Sequence, residues 1–393
     1  MAVVTRTRGW TALLTALVLA VLTGLLMPGP ASAEGPLVEK TVYTNTVTGG
    51  DGPRTPDIIN TSANNAVVAW REGLRPGSVD MGYMRYSYTT DGGAHWSRPQ
   101  TLAQETDQYA WHYVMLYKSG SELFAFLGRT PIADASEPDG INNNGLPING
   151  IVVKRSTDEG HTWQDYSANV KLPLDLPETP TIDEGYANLA ISGRPLKLAN
   201  GNTVIPFWAS GRENGVLISA GADLTKWTAG TVAGGLAHLA GENQIVVAPD
   251  NANKLIMVAR SGEAEAVTAT STNGGATWTA FTSATGLPSN DAARSYFGKD
   301  SNGQLLYIYT TGNSTSRLAL YYKTKRPGAT SWSAAKKFAD GLASEEDPTP
   351  AGSGAGWDTY PMADEYAPGK FFVTWEFDTT RIKVNELDIS DAP

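Results

Sequence analysis

The feature that most limits what this chain can become is an eight-residue pattern that recurs along it. Thr89-Thr90-Asp91-Gly92-Gly93-Ala94-His95-Trp96 follows the form S/T-x-D-x-G-x-x-W. Ser156-Thr157-Asp158-Glu159-Gly160-His161-Thr162-Trp163 repeats it, and Ser271-Thr272-Asn273-Gly274-Gly275-Ala276-Thr277-Trp278 repeats it with Asn in place of Asp. Degraded copies end at Trp227, after Asp223, and at Trp332, after Gly328. Each copy reads as a β-hairpin turn. Asp or Asn bonds the turn backbone, Gly supplies a left-handed position, and the Trp ring folds back over the hairpin. This structural role explains every residue in the boxes, so the chemistry of the chain is to be sought outside them.

The spacing of the boxes sets the architecture. The five Trp residues recur about every 59 residues, which divides the chain beyond its first 33 residues into about six units. β-branched and aromatic runs of strand length flank the boxes, such as Tyr83–Tyr88 and Gly150–Arg155, and no long amphipathic helical pattern occurs. Units of that size, each with several short strands, predict an all-β chain folded as one six-bladed β-propeller over residues 34–393. Two stretches read as long loops: Ala133–Gly150 and Gly341–Gly356.

The N-terminus has a different character. Arg6 and Arg8 precede an apolar run from Trp10 to Met27, which Pro28-Gly29-Pro30 breaks. Ala31-Ser32-Ala33 has the form of a signal-peptidase site. About 18 apolar residues could also nearly span a bilayer. The helix-breaking triplet and the small residues favour a signal peptide over residues 1–33, cleaved after Ala33. The expectation is a secreted monomer with no membrane attachment after cleavage.

Composition narrows the chemistry further. The chain has no Cys, which excludes a cysteine nucleophile, a thiolate metal centre and any disulfide. With 40 acidic and 30 basic side chains, its formal charge is −10, which argues against a nucleic-acid partner. A few clustered Arg could still hold a small anion. No His-Glu-x-x-His, phosphate loop or Gly-x-Ser-x-Gly occurs, and no ligand-spaced carboxylates call for a metal. No cofactor is expected. His112 reads as a packed histidine among aromatics, and Trp70 and Trp111 read as blade core.

The boxes and the six-unit period resemble the bacterial sialidase (neuraminidase) family, which carries Asp-boxes on a six-bladed propeller. The resemblance runs in order over nearly all of the chain past residue 33. Pro53-Arg54-Thr55-Pro56 is similar to the aromatic-Arg-Ile-Pro motif of the family, sharing its Arg and Pro. Asp80, 26 residues on and before the first box, stands where the family has its general acid/base, with Asp57 as the alternative. Gly241-Glu242-Asn243-Gln244 opens a strand, and Arg260 closes the next one 18 residues later, as the family's Glu and second Arg do. Arg317, in Ser316–Tyr322, fits the third Arg, with Arg326 as its competitor. Tyr360, in Trp357–Met362, fits the nucleophile that starts the final blade, with Tyr366 nearby. Glu376 reads as a structural buttress for an Arg.

The resemblance implies removal of terminal sialic or related ulosonic acids, so sialylated or other acidic glycans are the expected partners. Arg54, Arg260 and Arg317 would hold the substrate carboxylate by charge-assisted hydrogen bonds. That carboxylate sits on the anomeric carbon and repels an anionic nucleophile, whereas a neutral Tyr hydroxyl escapes the repulsion. Glu242 would take the proton from Tyr360, and Asp80 would protonate the leaving oxygen and then activate water. Alternatives are a non-catalytic glycan-binding propeller and a hydrolase or lyase for a different acidic sugar.

Overall fold

The computed structural model describes residues 40–45, 52–73, 82–104, 109–131, 150–171, 189–209, 213–236, 240–290, 292–313, 316–339 and 357–392. These residues form six antiparallel sheets arranged as the blades of a β-propeller. Blade one is β2 (Gly52–Asn60), β3 (Ala66–Gly73), β4 (Tyr83–Thr89) and β5 (Gln100–Ala103). Blade two is β6 (Tyr109–Ser119), β7 (Glu122–Pro131), β8 (Gly150–Ser156) and β9 (Gln164–Lys171). In blade three, β10 (Leu189–Ile191) and the short β11 (Leu196–Lys197) both pair with β12 (Thr203–Ala209), followed by β13 (Glu213–Ala220) and β14 (Asp223–Val232).

Blade four is β15 (Gly241–Val247), β16 (Leu255–Arg260), β17 (Glu265–Ser271) and β18 (Thr282–Pro288). Blade five is β19 (Tyr296–Lys299), β20 (Leu305–Asn313), β21 (Ser316–Lys325) and β22 (Lys336–Ala339). Blade six is β23 (Asp358–Ala367), β24 (Lys370–Phe377) and β25 (Arg381–Asp388), completed by β1 (Lys40–Thr44). The strand nearest the start of the chain thus pairs with the last one and closes the ring, so Lys40 faces Val384 and Thr44 faces Arg381.

Burial explains the strand compositions. β3, Ala-Val-Val-Ala-Trp-Arg-Glu-Gly, is buried at every position because blades pack on both of its faces. The outer β18 keeps only Ala284 and Leu287 buried. The apolar core lies mostly as layers between adjacent blades. Ile58, Val68 and Trp70 of blade one meet Phe372 and Val384 of blade six, and Val216 of blade three meets Leu255 and Val267 of blade four. Trp70 is such a core residue, stacked on Tyr43 at 5.2 Å between ring centres.

The three full boxes, and the degraded copy that ends at Trp332, lie at the connection from the third to the fourth strand of their blades, whereas Asp223 and Trp227 of the other degraded copy lie within β14. In the second copy, Ser156 Oγ donates to Asp158 (2.7 Å) and accepts from Gly160 N (2.9 Å), and Trp163 Nε1 donates to the Gly160 carbonyl (3.1 Å). The copy at Ser271–Trp278 repeats the same bonds. The glycine also meets the neighbouring blade. A Cβ on Gly160 would lie 2.3 Å from Val67, and one on Gly275 would lie 2.5 Å from Val216. The boxes therefore clamp each hairpin and seat it against the blade before it.

A second set of ties crosses the propeller axis. Arg194, just past β10, donates to Asp57 Oδ1 (2.7 Å) on β2 and to Asp364 Oδ1 (2.6 Å) on β23. Asp57 also accepts from Leu116 N on β6 (2.7 Å). Inner strands of blades one, two, three and six are joined in this way. Asp57 is fully buried in this knot, which removes it as an alternative to Asp80 for acid/base work.

Candidate active site

The inner strands of four blades share an irregularity near their starts. The pairing register shifts between Arg54 and Asp57 in β2, Trp111 and Val114 in β6, Gly241 and Gln244 in β15, and Thr359 and Met362 in β23. Three of these bulges hold a non-glycine residue in the left-handed region: Thr55 (φ 48°), Glu242 (φ 48°) and Tyr360 (φ 53°). Such a conformation costs an L-residue on the order of 1 kcal/mol or more. A bulge breaks the two-residue alternation of a strand and re-aims the side chains beside it. Two of the three strained residues are the carboxylate and the tyrosine singled out from the sequence.

Glu242, buried on blade four, has both carboxylate oxygens engaged. Oε2 lies 2.8 Å from Arg260 Nη1, and Oε1 accepts from the Tyr113 hydroxyl of blade two. Tyr360 stands nearby, on blade six. Burial pushes its hydroxyl up to about 12, and the charge of Glu242 adds to this while Arg260 and Arg317 oppose it. Its hydroxyl donates to the Ala292 carbonyl at 3.4 Å. The Arg317 guanidinium lies 5.4 Å from the centre of the Tyr360 ring and 5.3 Å from that of Trp357. Arg317 also donates to the Ala292 carbonyl and lies 3.9 Å from Glu376 Oε1. Glu376, fully buried, accepts from Thr55 N at 2.8 Å through its other oxygen.

Glu242, Arg260, Arg317 and Tyr360 thus converge from blades four, five and six. Arg54 stands next to Thr55 on blade one, and its guanidinium forms no ion pair with any described residue. Asp80 lies outside the described residues, as do residues 1–33, the loop over 341–356 and all but Gly150 of the loop over 133–150. The competitors lie elsewhere. Arg326 Nε donates to the Ala392 carbonyl, and the Tyr366 hydroxyl donates to Glu386. Glu376 occupies the buttressing position expected of it, against Arg317 and the backbone beside Arg54.

The protein-family comparison decides where such a chain belongs. A model described as a BNR repeat-like domain matches residues 64–367, most of the chain. This chain belongs to the BNR repeat-like domain family. Solved structures share its fold at low sequence identity. A protein of unknown function from Dyadobacter fermentans superposes with a TM-score of 0.67 at 16% identity, covering 90% of this chain and 98% of its own. The NanB sialidase of Streptococcus pneumoniae gives 0.65 at 13% identity, covering 91% of this chain and 71% of its own. The intramolecular trans-sialidase of Ruminococcus gnavus gives 0.65 at 14% identity, covering 91% and 99%. No curated protein sequence matches this BNR repeat-like chain.

Sequence reasoning missed two members of this cluster in the BNR repeat-like chain, Tyr113 and Arg294. Tyr113 lies inside the aromatic run Tyr109–Tyr113, where nothing local distinguishes it from core. Its bulge, between Trp111 and Val114, is the only distinguishing mark, and a bulge has no spelling in the sequence. Arg294 lies two residues before β19 and is fully buried. It carried no signal beyond being one of many basic residues.

Proposed function

We propose that this protein is an exported exo-acting, sialidase-like glycoside hydrolase that removes terminal sialic or related ulosonic acids with retention. The observation that carries the reading is the convergence of Glu242, Arg260, Arg317 and Tyr360 from separate blades. A sugar carboxylate suits Arg54, whose guanidinium forms no ion pair among the described residues, and Arg317, whose Nη1 lies 3.9 Å from Glu376 without a hydrogen bond to a described residue. Arg260 would share its charge between Glu242 and the ligand.

In the first displacement the Tyr360 oxygen attacks the anomeric carbon, its proton passes to Glu242, and Asp80 protonates the departing oxygen. In the second, Asp80 takes a proton from water, the water oxygen attacks the same carbon, and the Tyr360 oxygen leaves and recovers its proton from Glu242. Two inversions give retention. Export rests on the charged, apolar and small-residue segments of residues 1–33.

One observation favours a second reading, a glycan-binding propeller without turnover. The Tyr360 hydroxyl bonds a backbone carbonyl, while Tyr113 occupies the Glu242 oxygen. Release of fluorophore from an aryl sialoside by residues 34–393, beside Tyr360→Phe, separates the two. Turnover that falls by orders of magnitude in Tyr360→Phe supports the hydrolase. Binding of sialylated glycans without turnover supports the lectin.

A further inference from the structure

Arg294 is a cation in an unusual place. Its side chain is fully buried, and its guanidinium forms no ion pair with any described carboxylate. The groups that it bonds are neutral. Nη1 donates to the Ser192 carbonyl of blade three (3.2 Å), and Nη2 is 3.4 Å from the Pro56 carbonyl of blade one. Nε is buried with no hydrogen-bond partner among the described residues. The guanidinium carbon lies 5.6 Å from the centre of the Tyr113 ring and 5.7 Å from that of the Tyr360 ring. A buried charge without a counter-ion is strongly unfavourable unless another group supplies negative potential. Two aromatic faces and two carbonyls supply part of it.

The geometry points to Arg294 as the fixed counter-charge of the Tyr113–Glu242–Tyr360 cluster, a positioning residue that brings the Tyr360 hydroxyl within reach of deprotonation. This deepens the hydrolase reading and rests on Tyr360 as its nucleophile. When the Tyr360 proton moves to Glu242, negative charge leaves the carboxylate that Arg260 pairs and develops on the phenol. Arg294 is already against that ring and has no carboxylate to hold it back. It serves equally when the phenolate must leave in the second displacement. Arg294 already pulls the ionisation of Tyr113 downward, against burial and against the charges of Glu242 and Tyr360.

The charged and titratable groups on the segments around this point are Arg54 and Asp57 on β2, His112 and Tyr113 on β6, Arg194 past β10, Glu242 on β15, Arg260 on β16, Tyr296 on β19, Arg317 on β21, Tyr360 and Asp364 on β23 and Glu376 on β24; Asp57 and Asp364 are engaged by Arg194. Arg260 and Arg317 contribute positive charge as well, but each has a carboxylate neighbour, Glu242 and Glu376 respectively.

The test replaces Tyr360 with 3-fluorotyrosine in residues 34–393 and follows its ¹⁹F shift against pH. The backgrounds are the parent chain, Arg294→Lys and Arg294→Gln, the last keeping a donor while removing the charge. The expected result is a midpoint raised by about one pH unit or more in Arg294→Gln and held near the parent value in Arg294→Lys. In the unlabelled Arg294→Gln protein, aryl sialoside turnover falls about tenfold or more at neutral pH and recovers part of the loss as pH rises. A midpoint within about 0.3 units of the parent in folded Arg294→Gln overturns the proposal. If Arg294→Gln does not fold, the lysine variant decides it: a midpoint raised by about one unit with the charge retained overturns it as well. Absence of sialoside turnover in the parent protein counts against the hydrolase reading alone, because the titration is read without substrate.

Discussion

Glu242 and Arg260 form an ion pair of 2.8 Å at facing ends of adjacent strands of blade four. The pair results from a strand bulge. Glu242 occupies the left-handed position between Gly241, which faces Arg260 in the ladder, and Gln244, which faces Val258. Strain at one backbone position thus buys a carboxylate that touches Tyr113 from across the axis as well as its own neighbour strand.

Glu242→Gln keeps the volume of the side chain and removes its capacity to take a proton. Turnover of an aryl sialoside should fall about 10²–10⁴-fold. Stability should fall only by about 1–3 kcal/mol, as a charge-assisted bond becomes a neutral one. Kinetics and denaturant unfolding on one sample check both. Unchanged turnover per folded molecule would leave Glu242 as a structural anchor only.

Asp57→Asn should cost stability. Asp57 is fully buried and receives bonds from Arg194, Leu116 N and Ile58 N. Asn can replace the acceptor on one side but not the charge facing Arg194. Asp364 remains as a partner for that arginine, so the loss should be about 2–3 kcal/mol by denaturant titration. A loss below about 0.5 kcal/mol would show that Asp364 alone satisfies Arg194.

The boxes predict a contrast between two glycines. Gly160 has φ +87° and its Cβ would collide with Val67, whereas Gly92 has φ +70° and open space. Gly160→Ala should destabilise by about 2–4 kcal/mol, combining overpacking with backbone strain. Gly92→Ala should cost about 1 kcal/mol from strain alone. Equal losses would mean that the box does not seat blade two against blade one.

Thr55→Gly tests the strain at the axis directly. Thr55 is β-branched, has φ 48°, and its buried hydroxyl has no hydrogen-bond partner among the described residues. Its backbone N–H bond to Glu376 survives the change. Relief of strain and of the unpaired hydroxyl should offset the greater freedom of Gly in the unfolded chain. The expected outcome is a stability equal to or above the parent by up to about 1 kcal/mol. A clear loss would show that the Thr55 methyl packs more tightly than the strain opposes.

Alkaline stability follows from the buried tyrosines. Burial is the main cause that raises Tyr360 to about 12, and it also raises Tyr113, Tyr296 and Tyr307. Unfolded tyrosines titrate near pH 10, so above that pH the folded chain holds more protons. The contribution of these groups is complete below about pH 10 and falls as pH rises beyond it, that of Tyr360 being lost as pH passes through about 12. Unfolding midpoints should be flat from about pH 8 to 9.5 and then fall. A midpoint that stays flat to pH 12 would mean these hydroxyls reach solvent.

Much of the fold could be read from local sequence because its units are local. Each box carries its own hydrogen bonds within eight residues, and the period of Trp96, Trp163, Trp227, Trp278 and Trp332 counts the blades. The strand runs between boxes supply the sheet, since antiparallel neighbours follow one another along the chain. Glu242, Arg260, Arg317 and Tyr360 all came from resemblance along the chain; Glu242 and Arg260 meet because they belong to consecutive strands, and Arg317 and Tyr360 stand beside them.

What only the tertiary structure decided is what meets across the axis. Tyr113 on Glu242, Arg294 under Tyr113 and Tyr360, and the Arg194 knot with Asp57 and Asp364 each join blades far apart in sequence. None has a local mark, because the residues that meet come from inner strands and loops far apart in the chain. The bulges that aim Glu242 and Tyr360 are likewise invisible in the residues, since a left-handed Glu or Tyr is favoured by nothing in its own sequence. The packing of neighbouring blades holds them there.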